Sequence, residues 1–294
     1  MSLKPVSRRD FLKENNMKSI MKKVMLCVSL LLALILAVGG FFFWNIYQKL
    51  MTMETIQYDP QLTIFIGGGG NSIVLTSEDG SKALIVDTKM SSGAKKLRES
   101  VKADDITVVN THYHLDHIGG NSLYPSAKII AGAYSKEQWQ ADSRYPDITL
   151  KPGEEKVIKI ESETVHIWNI GQAHTMNDVV VYLESRKLLV TGDIVWVNMH
   201  PTFLDPNSSA TSWIKTLDSL DKKYDVKVLV PGHGKVSDKN AIREMRDYFA
   251  SITEAIGDQE ELETLENKYK DYSTIPIITG FDNTIAFIKK ERKQ

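Results

Sequence analysis

Residues 111–117 read Thr-His-Tyr-His-Leu-Asp-His, which packs three imidazoles and a carboxylate into the six positions from His112 to His117. The chain has only seven histidines in 294 residues, so such clustering points to a shared task. Neutral imidazole and carboxylate are ligand types that zinc and similar divalent ions select. The segment follows the apolar run Ile106-Thr107-Val108-Val109, which reads as a strand. His112 and His114 are two residues apart, so on extended backbone they point the same way. Asp116 and His117 fall at the bend and are free to face a second ion.

Other strand ends supply further ligand types. Thr164–Ile170 leads into His174, Leu188–Thr191 into Gly192-Asp193, and Val226–Val230 into Pro231-Gly232-His233. With the first cluster this makes five histidines and two aspartates, enough for two ions sharing a bridge. Of the other histidines, His166 alternates within a strand and reads as structural. His200 follows the Asp193 loop and, with Trp196 and Phe203, is read as lining a substrate pocket; core packing is the alternative for Trp196.

The elements that must position these groups alternate in type. Leu62–Ile66, Ile73–Thr76, Ala83–Asp87 and Val179–Leu183 have strand character, with a turn signal at Glu78-Asp79-Gly80-Ser81. Ser92–Val101, Thr211–Leu220 and Asn240–Ile256 have helical spacing. Gly67–Gly70 is either a mobile flap or a tight connection, and no Lys-Ser/Thr comes after it to make a phosphate cradle. The tail, residues 257–294, reads equally as packed elements or as a solvated extension.

This ordered ligand set resembles the metallo-β-lactamase fold superfamily over roughly Thr55 to Ile256. Its HxHxDH signature stands as His112-Tyr113-His114-Leu115-Asp116-His117, with His174, Asp193 and His233 after it in order. The resemblance implies a four-layer αββα sandwich with the site at one edge of two sheets. It also implies that His112, His114 and His174 hold a first metal and Asp116, His117 and His233 a second, with Asp193 between them. Two divalent ions are expected, zinc first, although an all-His/Asp site also accepts iron or manganese. Ions about 3.5–4 Å apart can hold a bridging water as hydroxide near neutral pH, so no Ser or Cys nucleophile is required. Asp116 is expected to orient that hydroxide and accept its proton, the one catalytic role assigned. Asp87, Thr111, Thr175 and Asp178 are expected either to fix imidazole tautomers through hydrogen bonds or to serve as turns and caps.

The resemblance has departures. The best-known zinc β-lactamases have a cysteine ligand near the second metal, whereas this chain offers Asp193, as the glyoxalase II and lactonase branches do. It has no long basic carboxy-terminal domain of the glyoxalase II kind. The diiron flavoprotein branch usually has Glu where this chain has His114.

A net charge of −1 hides an asymmetry. Residues 1–23 carry seven basic against two acidic side chains, a net +5, which leaves −6 for the rest and gives no support to a nucleic-acid partner. Val24–Tyr47 is uncharged and, at about 1.5 Å per residue, long enough as a helix to cross a bilayer of about 30 Å. Trp44 and Tyr47 close it as interfacial aromatics do, and the positive-inside bias places the chain beyond residue 50 outside the cytoplasm. A cleaved signal peptide at Ala37-Val38-Gly39 competes with an uncleaved anchor. Ser7-Arg8-Arg9-Asp10-Phe11-Leu12-Lys13 also resembles a twin-arginine export signal. Cys27, the only cysteine, lies in the apolar run, so the exported part has no disulfide and no thiolate ligand.

The expected organisation is therefore a basic cytoplasmic segment 1–23, a transmembrane anchor 24–47, a metal-binding domain 55–256 and an extension 257–294. The expected function is a membrane-anchored dinuclear hydrolase of a small ester, thioester, lactone or β-lactam. The rivals are a mononuclear iron enzyme of the persulfide-dioxygenase type and a metal-containing surface binding protein without turnover.

Overall fold

Most central strands are apolar at consecutive positions, as strands covered on both faces are, and their successive side chains go to opposite layers. The computed structural model describes residues 8–139 and 143–293. One sheet has the order β1 (Met53–Gln57), β2 (Leu62–Gly67), β3 (Ser72–Thr76), β4 (Lys82–Val86), β5 (Asp105–Val109), β6 (Lys128–Gly132) and β7 (Ile148–Leu150). The other runs β12 (Val228–His233), β11 (Leu188–Trp196), β10 (Asp178–Leu183), β9 (Glu163–Gly171) and β8 (Glu155–Ile160). Leu62, Ile64, Ile73 and Val109 from the first sheet meet Val165, Ile167, Val179, Val181 and Val230 from the second.

Each sheet has its own helical cover. Phe65, Ile85 and Val108 on the far face of the first sheet pack with Leu97 of α2 (Ser91–Ser100). Val180, Leu189 and Leu229 on the far face of the second pack with α4 (Ala210–Lys223) and α5 (Asn240–Ala255), through Trp213, Leu217, Ile242, Met245 and Phe249. Ser209 caps α4 by accepting the Ser212 N–H at 3.1 Å. These are the four αββα layers expected.

The tail joins the second cover. α6 (Gln259–Lys268) and α7 (Phe281–Glu291) bring Leu262, Leu265, Phe281 and Ile288 into the cluster around Trp213. The Glu291 carboxylate accepts from Ser209 Oγ at 2.6 Å and from the Ala210 N–H at 2.9 Å, at the start of α4. One compact unit thus begins at Met51 and includes these helices. α6 carries only Leu262 and Leu265 as apolar side chains, too few for a helical period, which is why the sequence leaves the tail undecided.

The amino-terminal unit is the helix α1 (Arg8–Met51), of which Met21–Gln48 is long and apolar enough to cross a membrane. It begins earlier than the apolar run because Lys, Glu, Leu and Met at 12–23 are good helix formers. Residues 1–7, including Ser7 of the twin-arginine motif, lie outside the described residues. Cys27 is exposed on this helix.

Candidate metal centre

The parallel pairs β4–β5 and β11–β12 end at the same edge of the sandwich, and the ligand-type side chains lie at or just past those ends. His112 comes just after β5 and is buried. His114 precedes the short helix α3 (Leu115–Ile118), which carries Asp116 and His117. Asp193 lies inside β11 rather than beyond its end. The register between β11 and β12 shifts on either side of Gly192. Such an irregularity turns a side chain out of the regular ladder. Gly192 has φ +53 and faces Thr111 so closely that a Cβ would lie 2.5 Å from it.

Two ligand groups meet at Asp193. His112, His114, His174 and Asp193 form one set, and Asp116, His117 and His233 the other, each with donor atoms within 4.8 Å of one another. Asp193 Oδ2 is 3.8 Å from His112 Nε2 and 3.4 Å from His174 Nε2. Its Oδ1 is 3.1 Å from His117 Nε2 and 3.4 Å from His233 Nε2. His174 Nε2 and His114 Nδ1 stand 3.0 Å apart, and Asp116 Oδ2 is 3.2 Å from His233 Nε2. One carboxylate therefore turns an oxygen to each group.

Neighbours fix some of these rings. His117 Nδ1 bonds Asp87 Oδ2 at 2.7 Å, which leaves Nε2 directed at Asp193. Thr111 donates its hydroxyl to Asp87 at 2.7 Å and its N–H at 2.8 Å, and its Oγ1 lies 3.2 Å from His112 Nδ1. Asp87 adopts φ 60, a strained conformation for a non-glycine residue, and is fully buried among these partners. Trp196 stacks on His233 with centroids 4.1 Å apart and donates Nε1–H to the Asp193 carbonyl at 2.9 Å.

Both groups fit metal ions. His112 Nε2, His117 Nε2 and Asp193 Oδ1 are buried with no hydrogen-bond partner among the described residues. Buried polar atoms are rarely left so, and these three, one from each ligand group and one from the carboxylate between them, are donor atoms open to a cation. The donor chemistry, imidazole and carboxylate, suits zinc and equally iron or manganese.

The electrostatics divide the two groups. In the first, burial pushes His112 well below its ordinary pKa, with His117 and His114 adding to the effect, and it lowers His174 to about 3. In the second, burial works against charge, but Asp193, Asp116 and Asp87 outweigh it and raise His117 well above its usual range. Asp193 and Asp116 likewise raise His233 to about 9. The first group is thus ready to bind at neutral pH, whereas His117 and His233 must lose protons first. Metal loading at pH 7 is expected to release protons, and affinity at the second group is expected to rise with pH between about 7 and 9. Calorimetry in two buffers of different ionisation heat reads this; a buffer-independent heat would contradict it.

Some residues take the alternative role that the sequence allowed, and others sit elsewhere than it suggested. Thr175 donates its N–H and hydroxyl to Asp178, at 2.8 and 2.5 Å, and meets Tyr134 Oη at 2.6 Å. Thr175 and Asp178 therefore brace the His174 loop through backbone and hydroxyl and bond no imidazole. Trp196 is buried and stacks on His233. His200 is buried too, bonding Tyr248 Oη through Nδ1 at 2.7 Å with Tyr272 and Phe281 around it. Phe203 stacks on Phe287 at 4.2 Å and packs against Trp213 and Phe249. For His200 and Phe203 the cause is shared, because α6, α7 and the stretch between them pack on the segment after β11 and bring Tyr272, Phe281 and Phe287 against these side chains. Phe203→Ala is accordingly expected to cost about 3 kcal/mol of stability with metal content unchanged. Denaturant unfolding checks the first part and metal analysis the second.

Sequence reasoning also missed residues. Asp205 is buried, accepts the Tyr113 hydroxyl at 2.5 Å and lies 4.0 Å from His114 Nε2. Lys89 is fully buried beside the second group. Nothing in spacing marks either residue, since both are brought in by loops.

A family model for the metallo-beta-lactamase superfamily matches residues 66–233, which span all seven ligand-type residues and more than half of the chain. The chain belongs to the metallo-beta-lactamase superfamily. Within that superfamily it is 28% identical over 127 residues to a hydroxyacylglutathione hydrolase of Synechococcus sp. (strain CC9605), covering 40% of this chain and 48% of that protein. It is 24% identical over 189 residues to a metallo-beta-lactamase type 2 of Bacillus sp. (strain 170), covering 58% and 69%. The chain thus spans about half the length of the first relative. A solved metallo-beta-lactamase from Pontibacter korlensis superposes with a TM-score of 0.59 at 19% identity, over 68% of this chain and 99% of that one. That likeness concerns the fold.

Proposed function

We propose that this superfamily member is a membrane-anchored, dinuclear metal-dependent hydrolase acting on a small ester, thioester, lactone or β-lactam. The observation that carries the reading is Asp193, whose two oxygens face two separate ligand groups. A second group this complete favours two ions over the single iron of a persulfide-dioxygenase-like site. When bound, such ions supply Lewis acidity and lower the pKa of water to near neutrality. His112, His114 and His174 would hold the first ion and Asp116, His117 and His233 the second, with Asp193 shared. Asp87 and Thr111 hold His117 and His112 in orientation. The Asp116 side chain is 28% exposed, so of the carboxylates here it is the one that solvent and substrate reach, and we assign it the proton-accepting role. No nucleophilic hydroxyl or thiol is invoked.

The names of the relatives span thioester and β-lactam chemistry, and the absence of a cysteine beside the second group leans the reading towards thioesters and lactones. The apolar helix Met21–Gln48 with its basic flank supports an anchor with the catalytic unit outside the cytoplasm. The test is a hydrolysis panel of ester, thioester, lactone and β-lactam with the full chain in detergent, loaded with zinc or iron. Turnover of one class that is lost on chelation supports the reading. Oxygen uptake without hydrolysis would overturn it.

A further inference from the structure

Lys89 is a full-length ammonium side chain with no exposed surface, set next to a metal centre that is itself cationic when filled. Burying such a charge is strongly unfavourable unless its donors are satisfied. Here they are: Nζ donates to the carbonyls of Phe65 at 3.1 Å, Gly67 at 2.6 Å and Gly70 at 2.6 Å. All three acceptors lie on or beside the glycine run that leaves β2. Lys89 also adopts φ 60, the left-handed region that a residue with a Cβ seldom occupies. Its neighbour but one, Asp87, shares that conformation and holds His117.

The glycine run touches Asp116 and His117 of the second ligand group, and Asn71 directly after it holds the backbone around His233. The Gly70 N–H donates to the Asp116 carbonyl at 3.1 Å. A Cβ on Gly70 would stand 2.3 Å from the His117 ring, so the bare backbone is what packs against that imidazole. One residue on, the Asn71 N–H donates to the Gly232 carbonyl at 2.8 Å, and its Nδ2 donates to Pro231 and Gly234 at 2.9 Å each, on both sides of His233. Asn71 Oδ1 in turn accepts the Gly67 N–H at 2.9 Å. The first ligand group has no such contact with this segment among the described residues.

We infer that Lys89 is a positioning residue for the second metal site, clamping the Gly67–Gly70 turn so that it holds Asp116, His117 and His233 in register. The inference rests on the dinuclear reading. Burial pulls the Lys89 pKa down to about 7 while Asp87 and Asp116 draw it up, which agrees with a group held close to that site. The segment read from sequence as either flap or tight connection is, on this account, a tie.

The experiment compares full-length wild type, Lys89→Met and the core control Leu84→Ala. Zinc affinity is measured by stepwise chelator competition, and hydrogen exchange is monitored in the metal-free proteins. Lys89→Met is expected to weaken the second zinc about 10–100-fold, the usual loss for an outer-sphere partner, and to leave the first unchanged. Exchange is expected to quicken in segments 67–71 and 231–234, whereas Leu84→Ala loosens the fold without that selectivity. Equal weakening of both zincs, or unchanged exchange in the two segments of a folded Lys89→Met, would overturn the inference. If Lys89→Met does not fold, Asn71→Ala cuts the same chain further along and must show the same selective loss. A wild type that binds one zinc removes the dinuclear reading, and the exchange result alone then decides on Lys89.

Discussion

Asp193→Asn is expected to lower kcat/KM by about 10³-fold or more, because loss of several kcal/mol of metal-borne stabilisation corresponds to that factor. The substitution keeps shape and volume, so charge and donor type are all that change. An amide offers one acceptor oxygen where the carboxylate offers two, and its nitrogen would point an N–H at one of the two histidine pairs now facing Oδ1 and Oδ2. One ligand group must therefore lose its shared donor. In the metal-free protein the same change removes one of the carboxylates that, with Asp116, raise His117 and His233, so their pKa values are expected to fall towards the ordinary range. Metal content below that of wild type, together with a lost proton release at pH 7, would mark this mechanism. His166→Ala is the contrast. His166 bonds Glu155 and Glu184 on the far side of the second sheet and is expected to leave both quantities unchanged.

The second large effect comes from one methyl group. Gly232→Ala would place a Cβ 2.1 Å from Asp193 Oδ1, 2.5 Å from the Gly192 carbonyl carbon and 2.6 Å from the Asp193 nitrogen. Two of these atoms are backbone held by the β11–β12 ladder, so the clash cannot be relieved by a rotamer change. Either the carboxylate swings away or the His233 loop moves. Overpacking of this kind typically costs about 1–3 kcal/mol of stability. The effect on activity is expected to be larger, about 10²-fold, since a displacement of about 1 Å at a reacting centre has that consequence. Thermal unfolding and steady-state kinetics on one preparation separate the two. A variant with wild-type kcat/KM would show that Asp193 does not occupy the place described.

Much of this centre is legible in the sequence because ligand chemistry is carried by residue type and spacing. The segment His112–His117 declares itself, Asp193 and His233 each follow an apolar run beside a glycine, and His174 comes three residues after Gly171. The outer parts were less readable for definable reasons. Asp87 is recognisable as a strand-end carboxylate, but its φ of 60 and its bond to His117 depend on a loop between two parallel strands. Lys89 looks like any surface lysine, and only the carbonyls of a distant glycine run make it internal. Phe203 and His200 were read as pocket-lining because the sequence does not reveal that α6 and α7 fold back over them. Asp193 itself was placed past a strand end, whereas β11 continues to Trp196 through an irregular stretch that spacing alone does not reveal.

The most direct test of a shared carboxylate between two ligand groups is the metal content per folded chain, measured by plasma mass spectrometry on the full-length protein at saturating zinc. Two zinc ions per chain is the predicted result. One ion per chain, at any zinc concentration that leaves the protein folded, would contradict it.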